Sequence, residues 1–173
     1  MFLSTDGGAF GGLGAARFAR TPPFRNRIVA VLNLDALAGV DPVRLEIAGD
    51  TPRSPSPSLV ATAVHRILAS GETWPQHPGF FGQLIDLGFP FTLYEQGPFL
   101  AQGVSAVTLT TGGSRPPPAF GDTAHRLRAK TLGRLGQSAQ EILGSLDQGL
   151  ELDRKSTRLN SSHIQKSRMP SSA

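Results

Sequence analysis

Two apolar, β-branched runs constrain this chain more than any other feature: RIVAVLNL at 27–34 and GVSAVTLTT at 103–111. Both are apolar at successive positions, not only at every second one, which is the pattern of strands covered on both faces of a sheet. VRLEIAGD at 43–50 instead alternates Val43, Leu45 and Ile47 with Arg44 and Glu46, as an exposed or edge strand does. Helix-type segments separate these runs. Leu13 to Ala19 predicts a short helix stopped by Thr21-Pro22-Pro23. Ser56 as N-cap, Pro57 in the first turn and Gly71 past the end frame a second helix, with Leu59, Val60, Ala63, Val64, Ile67 and Leu68 on its apolar face. FFGQLIDLG at 80–88 reads as a short helix. A long final helix is expected to be capped by Asp122 or Thr123 and to bury Leu127, Leu132, Leu135, Ile142, Leu143 and Leu146. Strands alternating with helices predict an α/β sandwich with a partly parallel sheet.

Charge narrows the function classes. Of 17 basic and 13 acidic residues, five basic (Arg154, Lys155, Arg158, Lys166, Arg168) and one acidic (Asp153) lie in 153–173. That leaves twelve of each in 1–152, so the body is neutral and carries no nucleic-acid footprint. The absence of cysteine excludes disulfides, thiolate zinc sites and cysteine nucleophiles. No apolar run reaches the roughly 18 residues of a membrane span, and nothing at the N-terminus reads as a signal peptide.

Few residues carry a chemical signal on their own. TDGGAFGGLGA at 5–15 offers Gly12-Leu13-Gly14, but no third glycine follows at Arg17 and no Lys-Ser/Thr closes a P-loop. It reads as a glycine-rich turn into a helix. His65, His77 and His125 share no metal-binding spacing and read as solvated residues. There is no Gly-x-Ser-x-Gly elbow, and Ser105 lies inside a strand. Asp35 directly follows the apolar run in VLNLDALAG, at the strand end where α/β folds place ligands. Capping the next turn and binding a cation are both open to it.

In order, GAFGGLGA (8–15), NLDALAG (33–39), YEQGPFLAQGVSAVTL (94–109) and FGDTAHRL (120–127) resemble a zinc exopeptidase family, that of leucyl-type aminopeptidases and glutamate carboxypeptidase-like proteins. Its members show a Glu-Glu pair before a glycine-rich turn and a strand ending in Asn-x-Asp. A Ser-Asp-His-x-Pro-Phe segment then precedes a strand, and His-Thr-Pro-x-Asp-Thr precedes a helix. The likeness spans residues 2 to 135. It implies a three-layer sandwich around a central mixed, largely parallel sheet, with 1–152 a partial domain incomplete at its N-terminus. The abrupt start of the chain, where Phe2 and Leu3 run straight into the glycine-rich segment, agrees with that expectation.

The family uses two zinc ions with a shared Asp, a shell of His, Asp, Glu and His, and a free Glu as general base. Here the Glu-Glu positions fall on Gly8 and Ala9, which neither bind metal nor accept a proton. The last histidine falls near Pro118, and the segment for the first His and the bridging Asp would precede Met1. Only Asp35 keeps a metal-ligand position, while Asp122 and Thr123 match the motif before the last helix as a helix cap. Asp6, two residues from Gly8, is displaced by about 6 to 7 Å along an extended chain, too far to replace the glutamates at metal distances near 2 Å.

The resemblance therefore implies a catalytically inactive binding or structural module with no zinc held by this chain. The alternative is an active zinc-dependent exopeptidase whose remaining ligands lie in an N-terminal part expected to precede Met1. It further implies an extracytoplasmic domain of a bacterial membrane protein, with membrane-spanning segments beyond the C-terminus. Finally, DRKSTRLNSSH and SRMPSSA within 153–173 resemble the translation of a sequencing-library adapter. That stretch is expected to be a disordered tail of artefactual origin.

Overall fold

The computed structural model describes residues 1–8, 11–22, 25–76, 80–113 and 124–166. Glycine and proline punctuate the chain into short elements. Helix α1 (Leu13–Arg20) leads to strands β1 (Ala30–Asp35) and β2 (Arg44–Glu46). Helices α2 (Pro57–Ala69), α3 (Phe80–Gly88) and α4 (Gln96–Ala101) follow, then β3 (Ser105–Thr110) and α5 (Ala129–Lys166).

The class is α/β, with a small mixed sheet in the order β1-β3-β2. β1 lies parallel to β3 from Ala30 opposite Ser105 to Asp35 opposite Thr110. A parallel neighbour requires a long crossover, and the helices between the two strands provide it. β2 lies antiparallel on the other side of β3, Arg44 opposite Thr110 and Glu46 opposite Thr108. Beyond β2, Gln76 donates its amide to Val43 O at 2.8 Å and accepts from Leu45 N at 3.0 Å, so this rim of the sheet is capped.

The central strand behaves as its apolar run predicts, with Ala106 to Thr110 all buried. Its odd residues Val107 and Leu109 join Val43 and Leu45 of the β2 region against Leu59, Ala63 and Ile67 of α2 and Leu135 and Ile142 of α5. Ala106 faces the other way, where it packs with Val104, Ala15 and Ala19 of α1 and Phe99 and Leu100 of α4. Each fully buried Leu or Ile in these clusters removes enough apolar area from water to favour folding by about 1.5–3 kcal/mol.

β1 departs from expectation. Its residues are half-buried, and Leu34 is 46% exposed. Among the described residues only β3 pairs with it, so it lies at the margin of the helices and not beneath their centre. The sheet accordingly has one parallel and one antiparallel ladder.

α2 begins as its capping signals require: the Ser56 hydroxyl accepts from Leu59 N at 3.3 Å and Pro57 opens the helix. Ser105 donates its hydroxyl to Ser56 Oγ at 3.2 Å and accepts from Ser56 N at 2.8 Å, tying the cap to β3. Gly71 follows the helix at φ +81°, where a side chain would be strained.

The last helix starts later than expected. Leu127 is 61% and Leu132 48% exposed, and Leu143 is also exposed. The buried stripe is instead Leu135, Ser138, Ala139 and Ile142, continued by the partly buried Leu146. Ser138 Oγ lies 2.6 Å from Ser70 Oγ, and Arg66 Nε donates to Ser145 Oγ at 2.9 Å. Polar contacts thus join α2 to α5 where a purely apolar face was expected. Arg134 adds a charge contact to Glu72, Nε to Oε1 2.7 Å. The caps assigned to Asp122 and Thr123 lie outside the described residues.

Candidate functional site

Strand register brings the polar residues together. Directly opposed residues on neighbouring strands point to the same face. Asn33, Thr108 and Glu46 therefore form one row on the α4 side of the sheet, and Asp35, Thr110 and Arg44 form the next. Both rows lie toward the C-terminal end of the parallel pair. The alternation read in 43–50 is correct, but the polar parity of β2 faces protein, not water, and Glu46 is buried.

Burial obliges these groups to find partners. Asn33 Nδ2 donates to Thr108 Oγ1 at 3.0 Å, and Thr108 in turn donates to Gln96 Oε1 at 2.5 Å. Gln96 is fully buried at the start of α4, and its Nε2 donates to Ala48 O at 2.9 Å and Thr92 Oγ1 at 3.1 Å. Arg44 Nε donates to Glu46 Oε1 at 2.8 Å and Nη1 to Gln76 Oε1 at 3.3 Å. This chain of contacts locks α4 onto the sheet. Gly97, the next residue, has little room for a side chain: a Cβ there would lie 2.5 Å from Thr92 Cγ2 and 2.7 Å from Asp50 Oδ2, so those side chains would have to shift.

Tyr94 stands over the second row, its hydroxyl donating to Gly113 O at 3.4 Å. Burial, then the carboxylates of Glu46 and Asp35, push its phenol up to about 12, against the opposing pull of Arg44 and a hydrogen bond with Thr110. The phenol is therefore neutral at physiological pH and available as a hydrogen-bonding group.

Asp35 ends β1 beside Tyr94 and lines a cleft of about 1460 Å³. The cleft runs along β1 between the segment at Met1–Thr5 and residues 143–147 of α5, and Glu95 lines it too. Just past Asp35, Ala36 takes a left-handed conformation, φ +45°, which a non-glycine residue adopts only under constraint. The constraint comes from Thr111, whose amide (3.3 Å) and hydroxyl both donate to Ala36 O while the hydroxyl accepts from Gly39 N at 2.7 Å.

The glycine-rich segment is a closed turn. The amides of Gly12 and Gly14 donate to Gly7 O and Asp6 O, at 3.2 and 3.0 Å. Donors that a phosphate would need at the start of α1 are spent within the loop. Asp6 is held against Gly14 by this turn and is itself exposed. A Cβ on Gly8 would lie 3.3 Å from Glu95 Oε1, and the Thr5 hydroxyl lies 2.8 and 2.9 Å from the two oxygens of that carboxylate. Glu95 thus covers Gly8.

Among the described residues no group of three or more His, Asp or Glu side chains is arranged to hold a metal ion. His65 and His125 are exposed away from the cleft lining, while His77, Ala9 and Pro118 lie outside the described residues. Of the residues singled out from sequence, Asp35 is the one set in this polar face. Tyr94, Glu95, Gln96, Arg44 and Glu46 join it only through the fold, and only the polar triplet Tyr94-Glu95-Gln96 before Gly-Pro-Phe hinted at them.

The arrangement offers two carboxylates and a neutral phenol at the mouth of a cleft. It suits hydrogen bonding and charge recognition. Among the described residues no helix is long and apolar enough to cross a membrane. No protein-family model, curated protein or solved structure matches the chain.

Proposed function

We propose that the chain belongs to a degenerate zinc exopeptidase-like domain that serves as a binding or structural module and does not cut peptides. The finer architecture proposed with it is a three-layer sandwich around a largely parallel sheet. Helices on both faces of β3 and an Asn-x-Asp at the end of β1 support that reading. One observation carries the loss of activity. Gly8, where the resemblance puts a glutamate, lies under the Glu95 carboxylate, itself in hydrogen-bond contact with Thr5. A glutamate in that position would press on Glu95, whose carboxylate would have to give by a few tenths of an ångström, and glycine itself supplies neither a metal ligand nor a proton acceptor for a metal-bound water. The ligand side of the module is the Asp35, Tyr94 and Glu95 rim of the cleft, in an extracytoplasmic domain of a membrane protein.

Zinc titration calorimetry on the product of the complete reading frame at the genomic locus, run beside hydrolysis assays on aminoacyl and peptidyl anilides, tests this reading. The expected outcome is no stoichiometric zinc uptake and no turnover. Stoichiometric uptake together with chelator-sensitive hydrolysis would establish the alternative, an active exopeptidase. Sequencing the genomic locus through both ends of the reading frame tests the adapter origin of 153–173 separately.

A further inference from the structure

The neutral body conceals an uneven distribution of charge. Four of the twelve basic residues of 1–152, Arg17, Arg20, Arg25 and Arg27, fall within positions 17–27, and no acid occurs from Gly7 to Leu34. α1 turns its small residues Ala15 and Ala19 inward, where they pack with Phe99, Leu100 and Ala106. Leu13, Arg17 and Arg20, spaced i, i+4 and i+7, form the opposite, exposed stripe. The 3-10 turn Arg25–Arg27 packs beside α1 and adds the exposed Arg27. The stripe on α1 points away from the sheet, so a strand added in the plane of the sheet would leave it uncovered. Among the described residues the ion pairs are Arg44–Glu46 and Arg134–Glu72, and none of the exposed arginines 17, 20 and 27 has an acidic partner. Asp6 and Glu95 approach the start of α1, against Gly14 and Gly12. A helix C-terminus favours cations. That accounts for Arg17 and Arg20, but not for Arg27, nor for a leucine 63% exposed on the same stripe.

We propose that this arginine face docks on an anionic lipid surface. Guanidinium groups match phosphate oxygens with paired donors. Several basic residues clustered on and beside an amphipathic helix are the pattern of headgroup recognition, and Leu13 supplies an apolar side chain at headgroup level. A nucleic-acid strand would instead call for polar or aromatic side chains to meet its bases, where this stripe exposes leucine. The proposal is independent of the peptidase-like reading.

Co-sedimentation of the 173-residue chain with vesicles tests it, comparing phosphatidylcholine containing phosphatidylglycerol with phosphatidylcholine alone. Binding to the anionic vesicles only, weakening as salt rises, is expected. Arg17→Gln combined with Arg20→Gln should lower the partition coefficient about 25-fold, and Arg27→Gln alone about fivefold. Arg128→Gln combined with Lys130→Gln removes as many exposed charges as the first variant, at the start of α5, and should leave the coefficient nearly unaltered. The basic residues of 153–173 are present in every variant, so their contribution cancels in these ratios. All five replaced residues are exposed and glutamine is a good helix former, so the fold is expected to survive, with circular dichroism as the check. Equal binding to the neutral vesicles, a coefficient indifferent to both arginine variants, a loss as large in the α5 variant, or tighter binding to a single-stranded oligonucleotide than to the anionic vesicles would each overturn the proposal.

Discussion

Tyr94 is the only tyrosine in the chain, so absorbance of the phenolate reports on it without ambiguity. Burial and the carboxylates of Glu46 and Asp35 raise its pKa from 10.0 to about 12. The expected titration midpoint of the folded chain lies near that value, and in denaturant it returns to about 10. Between these two values the folded chain keeps a proton that the unfolded chain has lost. Stability therefore falls as pH rises from about 10 to 12, and this group adds no pH dependence below 10. Glu46→Gln removes one of the two carboxylates and should move the midpoint down, measured by the same absorbance. An unchanged midpoint would mean that the Glu46 carboxylate contributes nothing and would leave burial and Asp35 as the causes. The same residue shows what a linear reading cannot supply: nothing in Tyr94-Glu95-Gln96 announces that Tyr94 stands over a row containing Asp35 and Thr110. That neighbourhood depends on strand pairing between residues 75 positions apart.

At the scale of elements, α5 offers the sharpest test, because its expected and observed buried faces differ. Leu135 is fully buried against α2, whereas Leu132 is 48% exposed. Leu135→Ala should cost about 2–5 kcal/mol through lost burial and the cavity left behind. Leu132→Ala should stay within about 0.5 kcal/mol. Denaturant unfolding of the two variants measures both, and equal losses would restore the broader apolar face. The reason for the difference is local. Ser138 sits in the buried stripe because Ser70 lies against its hydroxyl, so a polar residue takes a place that a hydropathy pattern assigns to leucine. Elements with their own punctuation were legible: Ser56, Pro57 and Gly71 bound α2 as capping chemistry dictates, and 103–111 holds the buried central strand. α4 was not, because six residues around Gly97 and Pro98 give no period, and Gln96 enters the core through two tertiary hydrogen bonds, to Ala48 and Thr108, beside a local one to Thr92. The buried pattern of 27–34 likewise marked β1 as a strand, but its position at the rim is set by which strands flank it.

For the whole molecule, the distribution of core and charge predicts how the chain responds to shortening. Among the described residues, the apolar cluster that joins the sheet to α2 and α5 runs along the sequence as far as Leu146. Residues 153–173 hold five basic side chains and one acidic one, the entire excess of positive charge. A chain ending at Leu152 should therefore keep its melting temperature to within about 2 °C, since a loss of 1 kcal/mol of core packing would shift it by roughly 2–4 °C or more. Its solubility should change much more. Net charge drops from +4 to zero at pH 7, removing the repulsion that keeps molecules apart. The shortened chain should reach its solubility minimum near neutral pH, where the 173-residue chain remains in solution. Differential scanning calorimetry and a precipitation curve against pH separate the two effects. A melting temperature lower by several degrees would mean that residues beyond 152 contribute packing, and the division of the chain at that point would have to move.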